Sequence, residues 1–301
     1  MKIDAHQHFW CYRAEEFPWI DEGMPLLQRD CLPEDVRSAL RAAAVDAVVA
    51  VQARTLAAET DFLLRLADQN PEVVGVVGWA DLAAPDLAHR LEQWADHSAF
   101  KGLRHILQDE GDVGAWVSHP GIMRGLRTLQ QRGLVYEVLV FDHQLSSVAE
   151  FCASNDAHWL VLDHVGKPAV RDWRRKTDAQ SRWCRSIREL ATLPHVMCKL
   201  SGLVTEADWG SHAGVTPEDS KTMLSCFDQA LEAFGPQRLM YGSDWPVCQL
   251  SASYQVVHRL AHGWAQSRLT VQEQAAFWSG NAIRCYGLNV RALADGRTTT
   301  Y

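Results

Sequence analysis

The stretch "MKIDAHQHFW" (residues 1–10) places two histidines one residue apart at the end of the first apolar segment of the chain. In a β-strand, side chains at positions i and i+2 point to the same side, so His6 and His8 would direct both imidazoles at one place. Two unrelated surface histidines would give the same spacing. The rest of the chain has to decide between a shared site and a coincidence.

Seven more segments with the composition of β-strands follow along the chain. Their centres are continuously apolar, which is typical of parallel strands covered on both faces. The first strand is predicted near residues 2–5, and the others at 45–53, 72–82, 100–107, 134–141, 158–166, 195–203 and 238–246.

Segments with helical periodicity separate these strands. The clearest is 33–43, where Pro33 stands at a first helical position and acidic residues follow in the first turn. This alternation predicts a parallel α/β fold, and eight repeats over roughly 250 residues fit a (β/α)8 TIM barrel. We expect residues 1–301 to form it as a single domain. A doubly wound open sheet is the alternative, but no G-x-G-x-x-G follows the first strand.

Composition excludes several classes of function. The 301-residue chain carries a net charge of -8 with no basic block, so nucleic acid is not an expected partner. No apolar run reaches the roughly 20 residues that span a bilayer. Eight cysteines without a C-x-x-C spacing, and a start that lacks a secretory pattern, predict reduced thiols and a cytoplasmic protein. The oligomeric state stays open.

Polar residues stand at the ends of five predicted strands. Burying such groups is costly unless they are paired or used, and the carboxyl ends of barrel strands share one face, where active sites form. We therefore expect these residues to converge on one cavity, which favours the shared-site interpretation of the histidine pair. In chain order they are His6 and His8, Arg104 and His105, Asp163 and His164, Lys199 and Ser201, and Ser243 and Asp244.

Tryptophans in the long segments that follow strands predict a lid over this cavity. Trp10, Trp19 and Trp245 would offer flat apolar faces to a sugar ring; Trp173 and Trp209 lie in similar segments. The alternative is that these rings only pack loops onto the barrel. The nearest approach to a basic cluster, "RDWRRK" (171–176), is interpreted as a solvated face. A neutral, sugar-like ligand is therefore favoured over a dicarboxylate.

Five motifs together resemble those of the amidohydrolase superfamily, and the resemblance extends from Ile3 to "SGNAIRCYGL" (279–288). It is closest to the group of sugar lactonases that includes fuconolactone and rhamnonolactone hydrolases. The resemblance implies a (β/α)8 barrel, a site at the carboxyl ends of the strands, and a carboxylic ester hydrolase of carbohydrate catabolism that opens a sugar lactone. The motifs are "IDAHQHFW", "FKGLRHIL", "VLDHVGKP", "CKLSGL" and "LMYGSDWPV".

The same resemblance bears on a metal ion. In metal-using members, the strand-one histidines and the strand-eight aspartate bind a divalent ion, which here would be zinc on His6, His8 and Asp244. Such members usually add a histidine from strand five; here Glu137 lies inside that strand and could complete the site, since carboxylates ligate zinc. Lactonases of this group that need no metal are also known. We expect one weakly bound divalent ion that catalysis does not require.

Lactone hydrolysis needs a base for the water, a polarised carbonyl and a proton for the leaving alkoxide. We expect Asp244 to be the general base, and His164 and Arg104 to bind the carbonyl oxygen. Substrate contacts are predicted for the remaining candidates: His6, His8, His105, Lys199, Glu137, Trp10, Trp19 and Trp245.

Several roles stay open at this stage. Lys199 could instead form a salt bridge under the barrel mouth, and Asp163 is interpreted as orienting a histidine. Glu137 could contact substrate hydroxyls, bind metal, or pair with Arg104 in the barrel interior. A mononuclear zinc amidohydrolase or decarboxylase is the rival function. A non-catalytic sugar-binding barrel is disfavoured because Asp244 is present, and a serine esterase because no G-x-S-x-G occurs.

Overall fold

The computed structural model describes residues 1–173, 177–207 and 214–290. Eight strands form one sheet, and each strand pairs in parallel with the next in chain order. The eight predicted strands are confirmed. They are β1 Ile3–Gln7, β2 Ala47–Val51, β3 Val73–Gly78, β4 Phe100–His105, β5 Val135–Val138, β6 Leu160–Leu162, β7 Val196–Leu200 and β8 Leu239–Tyr241.

The sheet curves until its first and last strands meet, so it is a barrel and not an open sheet. Gln7 and Trp245 form a parallel bridge between the end of β1 and the segment after β8. The amide of His8 donates to the carbonyl of Trp245 at 2.7 Å, and the amide of Asp244 donates to the carbonyl of His6 at 2.9 Å. The predicted (β/α)8 barrel is confirmed.

Helices cover the outside of the barrel. The first coincides with the segment predicted from Pro33, and its start is fixed by Asp35, whose carboxylate accepts the Leu32 amide hydrogen at 2.8 Å. The helices are α1 Pro33–Ala43, α2 Ala58–Gln69, α3 Leu87–Ala95, α4 Val113–Ser118, α5 Pro120–Gln130, α6 Leu145–Ala153, α7 Thr177–Ala191, α8 Pro217–Phe234, α9 Tyr254–Arg268, α10 Val271–Ala275 and α11 Asn281–Tyr286.

The apolar core has two parts. A larger one lies between strands and helices, and a smaller one fills the barrel interior with residues such as Val49, Val161 and Met197. Tyr286 of α11 and the following Leu288 pack against the interior part. Because apolar residues fill this part of the barrel, the polar residues of the strand ends are collected at the carboxyl face.

No helix among the described residues is long and apolar enough to cross a membrane. That one domain accounts for the whole chain stays a prediction, since residues 291–301 lie outside the described part.

Candidate active site

A cavity of about 600 Å³ opens at the carboxyl ends of the strands. Five of the residues singled out in the sequence line it: His8, Trp19, Arg104, His164 and Asp244. They come from segments far apart in the chain and meet here because parallel barrel strands all end on this face.

Asp244 lies at the centre of a cluster of imidazoles. Its Oδ1 is 3.2 Å from Nε2 of His8 and 3.8 Å from Nε2 of both His6 and His164. Burial alone would raise the pKa of Asp244, but the neighbouring His164 and His8 lower it by more, so its pKa lies below the ordinary value. The carboxylate is therefore ionised and faces the cavity, as a base must.

The position of Asp244 depends on Asp4, which the sequence analysis missed. Oδ1 of Asp4 accepts the Ser243 amide hydrogen at 2.8 Å, and Oδ2 accepts the Tyr254 hydroxyl hydrogen at 3.1 Å. This buried carboxylate ties the segment after β8 to β1 and α9. The available signal was an ionisable residue in the middle of an apolar strand, where an unpaired charge is costly.

His164 follows β6 in a left-handed conformation, with φ of 53°. Its Nδ1 lies 2.9 Å from the hydroxyl of Ser201, which can donate to it and leave the ring hydrogen on Nε2, toward the cavity. Burial holds the pKa of His164 well below its ordinary value, so the ring is neutral. A neutral imidazole with Nε2–H can donate a hydrogen bond to an oxygen in the cavity.

Arg104 is fixed before any ligand arrives. Its Nε donates to Oε1 of Gln52 at 2.8 Å, its Nη2 donates to the Gln52 carbonyl, and its Nη1 donates to Oδ2 of Asp163 at 3.1 Å. Oδ1 of Asp163 also lies 3.4 Å from Nδ1 of His6, in agreement with an orienting role. Gln52 was not singled out in the sequence, although a buried polar residue directly after an apolar strand is a usable signal.

Lys199 and Glu137 lie beneath the cavity and do not reach its wall. Both side chains are fully buried, and Lys199 Nζ is 2.6 Å from Oε1 of Glu137. The Tyr286 hydroxyl donates to the same oxygen at 2.6 Å. Burial and the nearby Asp163 raise the pKa of Glu137 to about 7. The predicted substrate contacts of these two residues are therefore corrected, because they form a buried ion pair, and the partner of Glu137 is Lys199 and not Arg104.

His6 is also fully buried and is not part of the described cavity wall, so its predicted substrate contact is corrected as well. Burial and the Lys199 ammonium hold the pKa of His6 well below its ordinary value. The neutral ring packs edge-on to His8 and His164, with ring centroids 4.8 and 4.5 Å away. His6 supports the residues that face the cavity.

His105 points away from Arg104 and outside the described lining of the cavity. Its Nδ1 accepts from Trp79 Nε1 at 3.0 Å, its Nε2 lies 2.8 Å from Glu110, and its ring stacks on Trp116. The physical reason is strand alternation, because successive residues of β4 face opposite sides. The expected substrate contact of His105 is therefore corrected.

Of the three tryptophans predicted to contact a sugar, one lines the cavity and two pack in the apolar core. Trp19 lines the cavity and is held by a hydrogen bond from its Nε1 to the Ala53 carbonyl at 2.8 Å. Trp10 and Trp245 are 1% and 2% exposed and pack in the core, which corrects their predicted sugar contacts. Trp173 is also buried. Trp209 and residues 174–176 of the basic stretch lie outside the described residues.

Five charged residues of the cavity wall were not predicted as site residues: Asp21, Asp109, Lys167, Arg171 and Glu206. Lys167 Nζ donates to Gln108 Oε1 at 2.9 Å and lies 3.5 Å from Glu206 Oε1, and Arg171 Nη2 lies 3.9 Å from Glu206 Oε2. With Arg104 paired to Asp163, each Lys or Arg in the described lining has a carboxylate within 4.0 Å. The described lining holds three cationic and four acidic side chains, so it has no excess of positive charge for a dicarboxylate and suits a neutral polar ligand.

The donor set is compatible with a divalent metal ion. One ligand atom each from His6, His8 and Asp244 lies within 4.8 Å of the others. Two imidazoles and a carboxylate are ordinary zinc ligands, and three protein ligands are usual in catalytic zinc sites. These residues fit the ion, whereas Glu137, paired with Lys199, is not part of this set.

Comparison with known proteins agrees with the motifs. The family described as Amidohydrolase matches residues 3–288. An L-fucono-1,5-lactonase of Burkholderia multivorans is 53% identical over 288 residues, which is 96% of both chains. An L-fucono-1,5-lactonase of Burkholderia ambifaria is 32% identical over 253 residues, or 84% of this chain and 83% of that one. The crystal structure of an amidohydrolase from B. multivorans with bound zinc superposes with a TM-score of 0.92 at 52% identity, covering 96% of this chain and 100% of that chain.

Proposed function

The chain belongs to the amidohydrolase family, and on that premise we propose that it hydrolyses a neutral sugar lactone, of the L-fucono-1,5-lactone kind, to the sugar acid. The observation that carries the proposal is the 53% identity to an L-fucono-1,5-lactonase over 96% of both chains. The site supplies the chemistry that this reaction needs: an ionised carboxylate and two hydrogen-bond donors around one cavity.

Asp244 acts as the general base in this proposal. A water between Asp244 and the lactone attacks the carbonyl carbon, and the Asp244 carboxylate takes the proton of that water. When the tetrahedral intermediate collapses, the bond between the carbonyl carbon and the ring oxygen breaks. Asp244 then returns the proton to the leaving alkoxide, so the base is regenerated. The low pKa of Asp244 supports this role, because the carboxylate is ionised before water binds.

His164 and Arg104 stabilise the negative charge that develops on the carbonyl oxygen. Both line the cavity with Asp244, and both are held by contacts made outside it. Donors that are already oriented need no rearrangement as charge develops, which is the main source of such stabilisation. The salt bridge from Arg104 to Asp163 keeps the guanidinium in place.

The wall of the cavity supports a neutral sugar as the ligand. Trp19 offers a flat aromatic surface, and the carboxylate and amide groups of Glu206 and Gln108 can bind hydroxyls. Lys167 and Arg171 are already paired with Glu206. Four acidic side chains line the cavity against three cationic ones, so the wall does not favour a dianionic substrate.

A zinc ion would be held by His6, His8 and Asp244 and, when bound, would polarise a carbonyl oxygen as a Lewis acid. We propose that turnover does not require it. β5 carries no histidine, and the carboxylate inside it, Glu137, is engaged by Lys199 and Tyr286. The rival zinc-dependent amidohydrolase or decarboxylase would instead depend on the ion.

A screen of lactones with a pH indicator tests the function, because each hydrolysis releases one proton. The panel holds L-fucono-1,5-lactone, other aldono-1,5- and 1,4-lactones, and a pyrone dicarboxylate. We expect turnover of a neutral aldonolactone and none of the dicarboxylate. Preferential turnover of the dicarboxylate, or no turnover of any lactone, would contradict the proposal.

A further inference from the structure

The side chain of Trp19 borders two cavities. It lines the cavity of the site and also a neighbouring cavity of about 360 Å³. A ring beside empty space loses the packing contacts that would otherwise hold it in place. Its position therefore depends on the contacts that remain, which are the hydrogen bond to the Ala53 carbonyl at 2.8 Å and an edge-on contact with Trp10, whose ring centroid is 5.8 Å away.

A buried carboxylate fixes the acceptor of that hydrogen bond. Glu59, the second residue of α2, is fully buried. Its Oε1 accepts the Ala53 amide hydrogen at 2.8 Å, and its Oε2 accepts the Nε hydrogen of Arg54 at 2.6 Å. The segment after β2 is thus tied to α2 by a side chain that takes no part in the proposed chemistry. The carbonyl that receives Trp19 belongs to this segment.

Arg54 extends the same support to the segment after β1, which carries Trp19. Its Nη1 donates to Glu16, and its guanidinium lies over the ring of Phe17 at 5.6 Å. The ring of Phe17 in turn contacts that of Trp10, with centroids 5.6 Å apart. Both contacts of Trp19 therefore lead back to the pair formed by Arg54 on one side and the carboxylate of α2 on the other.

We propose that the buried pair Arg54–Glu59 positions Trp19 against the substrate, and so determines how tightly the substrate binds and not how fast the bound substrate reacts. Arg54 and Glu59 are positioning residues that act through Trp19. The inference rests on the proposed function, since it assigns residues to the binding of the lactone.

The groups that carry out the chemistry are held independently of this pair. Arg104 is bound to Gln52, whose own amide donates to the Val77 carbonyl at 2.8 Å in the strand ladder. His164 and Asp244 follow β6 and β8. Loss of the pair should leave these three groups in place, which predicts a change in KM with little change in kcat.

The first test compares the kinetics of two arginine variants. Arg54→Met removes the guanidinium and keeps an unbranched apolar side chain. The matched control is Arg37→Met, because Arg37 donates to Glu72 at 2.8 Å and to Asn70 at 2.9 Å, and none of these three residues lines the cavity. We expect Arg54→Met to raise KM about three- to tenfold, the range for one aromatic contact, with kcat within about twofold of the wild type. Arg37→Met should change neither constant by more than about twofold.

A milder variant keeps the test valid if Arg54→Met folds poorly, which thermal melting shows. Glu16→Gln removes only the charge of the loop partner, whose side chain is 25% exposed. It should raise KM in the same direction and by less. A fall in kcat at unchanged KM in these variants, or an equal rise of KM in Arg37→Met, would overturn the proposal.

A double-mutant cycle with Trp19→Ala tests whether the pair acts through Trp19. Residues that act through one another are not additive, whereas independent effects add. In the Trp19→Ala background, Arg54→Met should therefore raise KM by less than about 1.5-fold. An equal rise of KM in both backgrounds would overturn the proposal, and so would a Trp19→Ala variant with the KM of the wild type.

The second test needs no substrate. The protein is labelled with 5-fluorotryptophan, and the ¹⁹F signal of Trp19 is assigned by its loss in Trp19→Phe. We expect that signal to shift or broaden in Arg54→Met and to stay unchanged in Arg37→Met. An unchanged Trp19 signal in Arg54→Met would overturn the proposal. If the wild type opened no lactone, the proposed function would fail, while this spectrum would still decide whether the pair positions Trp19.

Discussion

Backbone strain is concentrated at the residues of the site. Among the described residues, five that are not glycine have positive φ, and three of them line the cavity: His164, Lys167 and Asp244. Conformations of this kind cost on the order of 1–3 kcal/mol each and persist where the surroundings over-determine them. The hydrogen bonds of Asp4 and Ser201 provide such surroundings. The strain turns the side chains of His164 and Asp244 into the cavity.

His164 should act on the transition state and contribute little to folding. We expect His164→Asn to lower lactone turnover by about 10²-fold, the size of effect seen when one oxyanion donor is removed. The matched control is His143→Asn, because His143 is a histidine with a side chain 66% exposed. Turnover and thermal melting are measured for both variants. If His164→Asn kept the turnover of the control, the oxyanion role would be wrong.

At the scale of single strands, the sequence predicts which strands exist better than where each side chain points. The continuous apolar centres predicted all eight strands, and period-2 alternation would also have turned His105 away from Arg104. It could not have placed His6. Ala5 packs in the barrel interior, so strict alternation would turn the next residue, His6, outward. His6 nevertheless contacts Lys199 inside the barrel, which the shift of register between Asp4 and Gln7 allows.

The segments after the strands limit prediction for a different reason. Trp10, Trp19 and Trp245 look alike in the sequence, because an aromatic residue in a long loop can cover a ligand or the barrel. Only Trp19 lines the cavity, while the other two are buried in the core. Loop folding, which local sequence does not determine, makes that difference. Local sequence likewise does not predict the contact between Lys167 and Glu206, because the two residues lie in different loops.

The turn after β7 should matter for catalysis through its shape. Gly202 has φ of 66°, and an added Cβ would lie 2.4 Å from Nδ1 of His164. Gly133 has a similar φ of 68° and no atom within 4 Å of an added Cβ. Both glycine-to-alanine variants should lose about 1 kcal/mol of stability from left-handed backbone. Only Gly202→Ala should also displace His164 and lower turnover.

Chemical denaturation and lactone kinetics on the two glycine variants separate these effects. An equal loss of turnover in Gly133→Ala would show that the loss follows stability and not the position of His164. Normal turnover in Gly202→Ala would show that the space beside His164 is not needed.

Over the whole molecule, the barrel interior changes from apolar to ionic along its axis. Val49, Val161 and Met197 belong to the apolar part, and Lys199, two residues beyond Met197 on β7, joins Glu137 in the buried ion pair. The sequence predicted that ionisable strand ends would converge, because the fold brings them to one face. It did not predict which would reach the cavity, since that depends on depth along the barrel. Lys199 and Glu137 were predicted to contact the substrate, but they lie beneath the cavity.

Removal of metal should leave the activity of the molecule intact. After exhaustive chelation and confirmation of the loss of metal by elemental analysis, we expect lactone turnover to stay within about twofold of that of the untreated protein. If a metal-bound nucleophile were required, chelation would lower turnover far more, since such an ion lowers the pKa of bound water to about 7. If chelation abolished turnover and zinc alone restored it, the metal-dependent rival would replace the proposed mechanism.

The rate of lactone opening by Asp244→Asn tests the central claim most directly. The amide is nearly isosteric with the carboxylate but cannot accept the proton of the attacking water. We expect turnover of L-fucono-1,5-lactone, or of the aldonolactone that the wild type prefers, to fall by at least about 10²-fold, as for a positioned general base. Thermal melting should stay close to that of the wild type. A folded Asp244→Asn protein with near-normal turnover would contradict the assignment of Asp244 as the base.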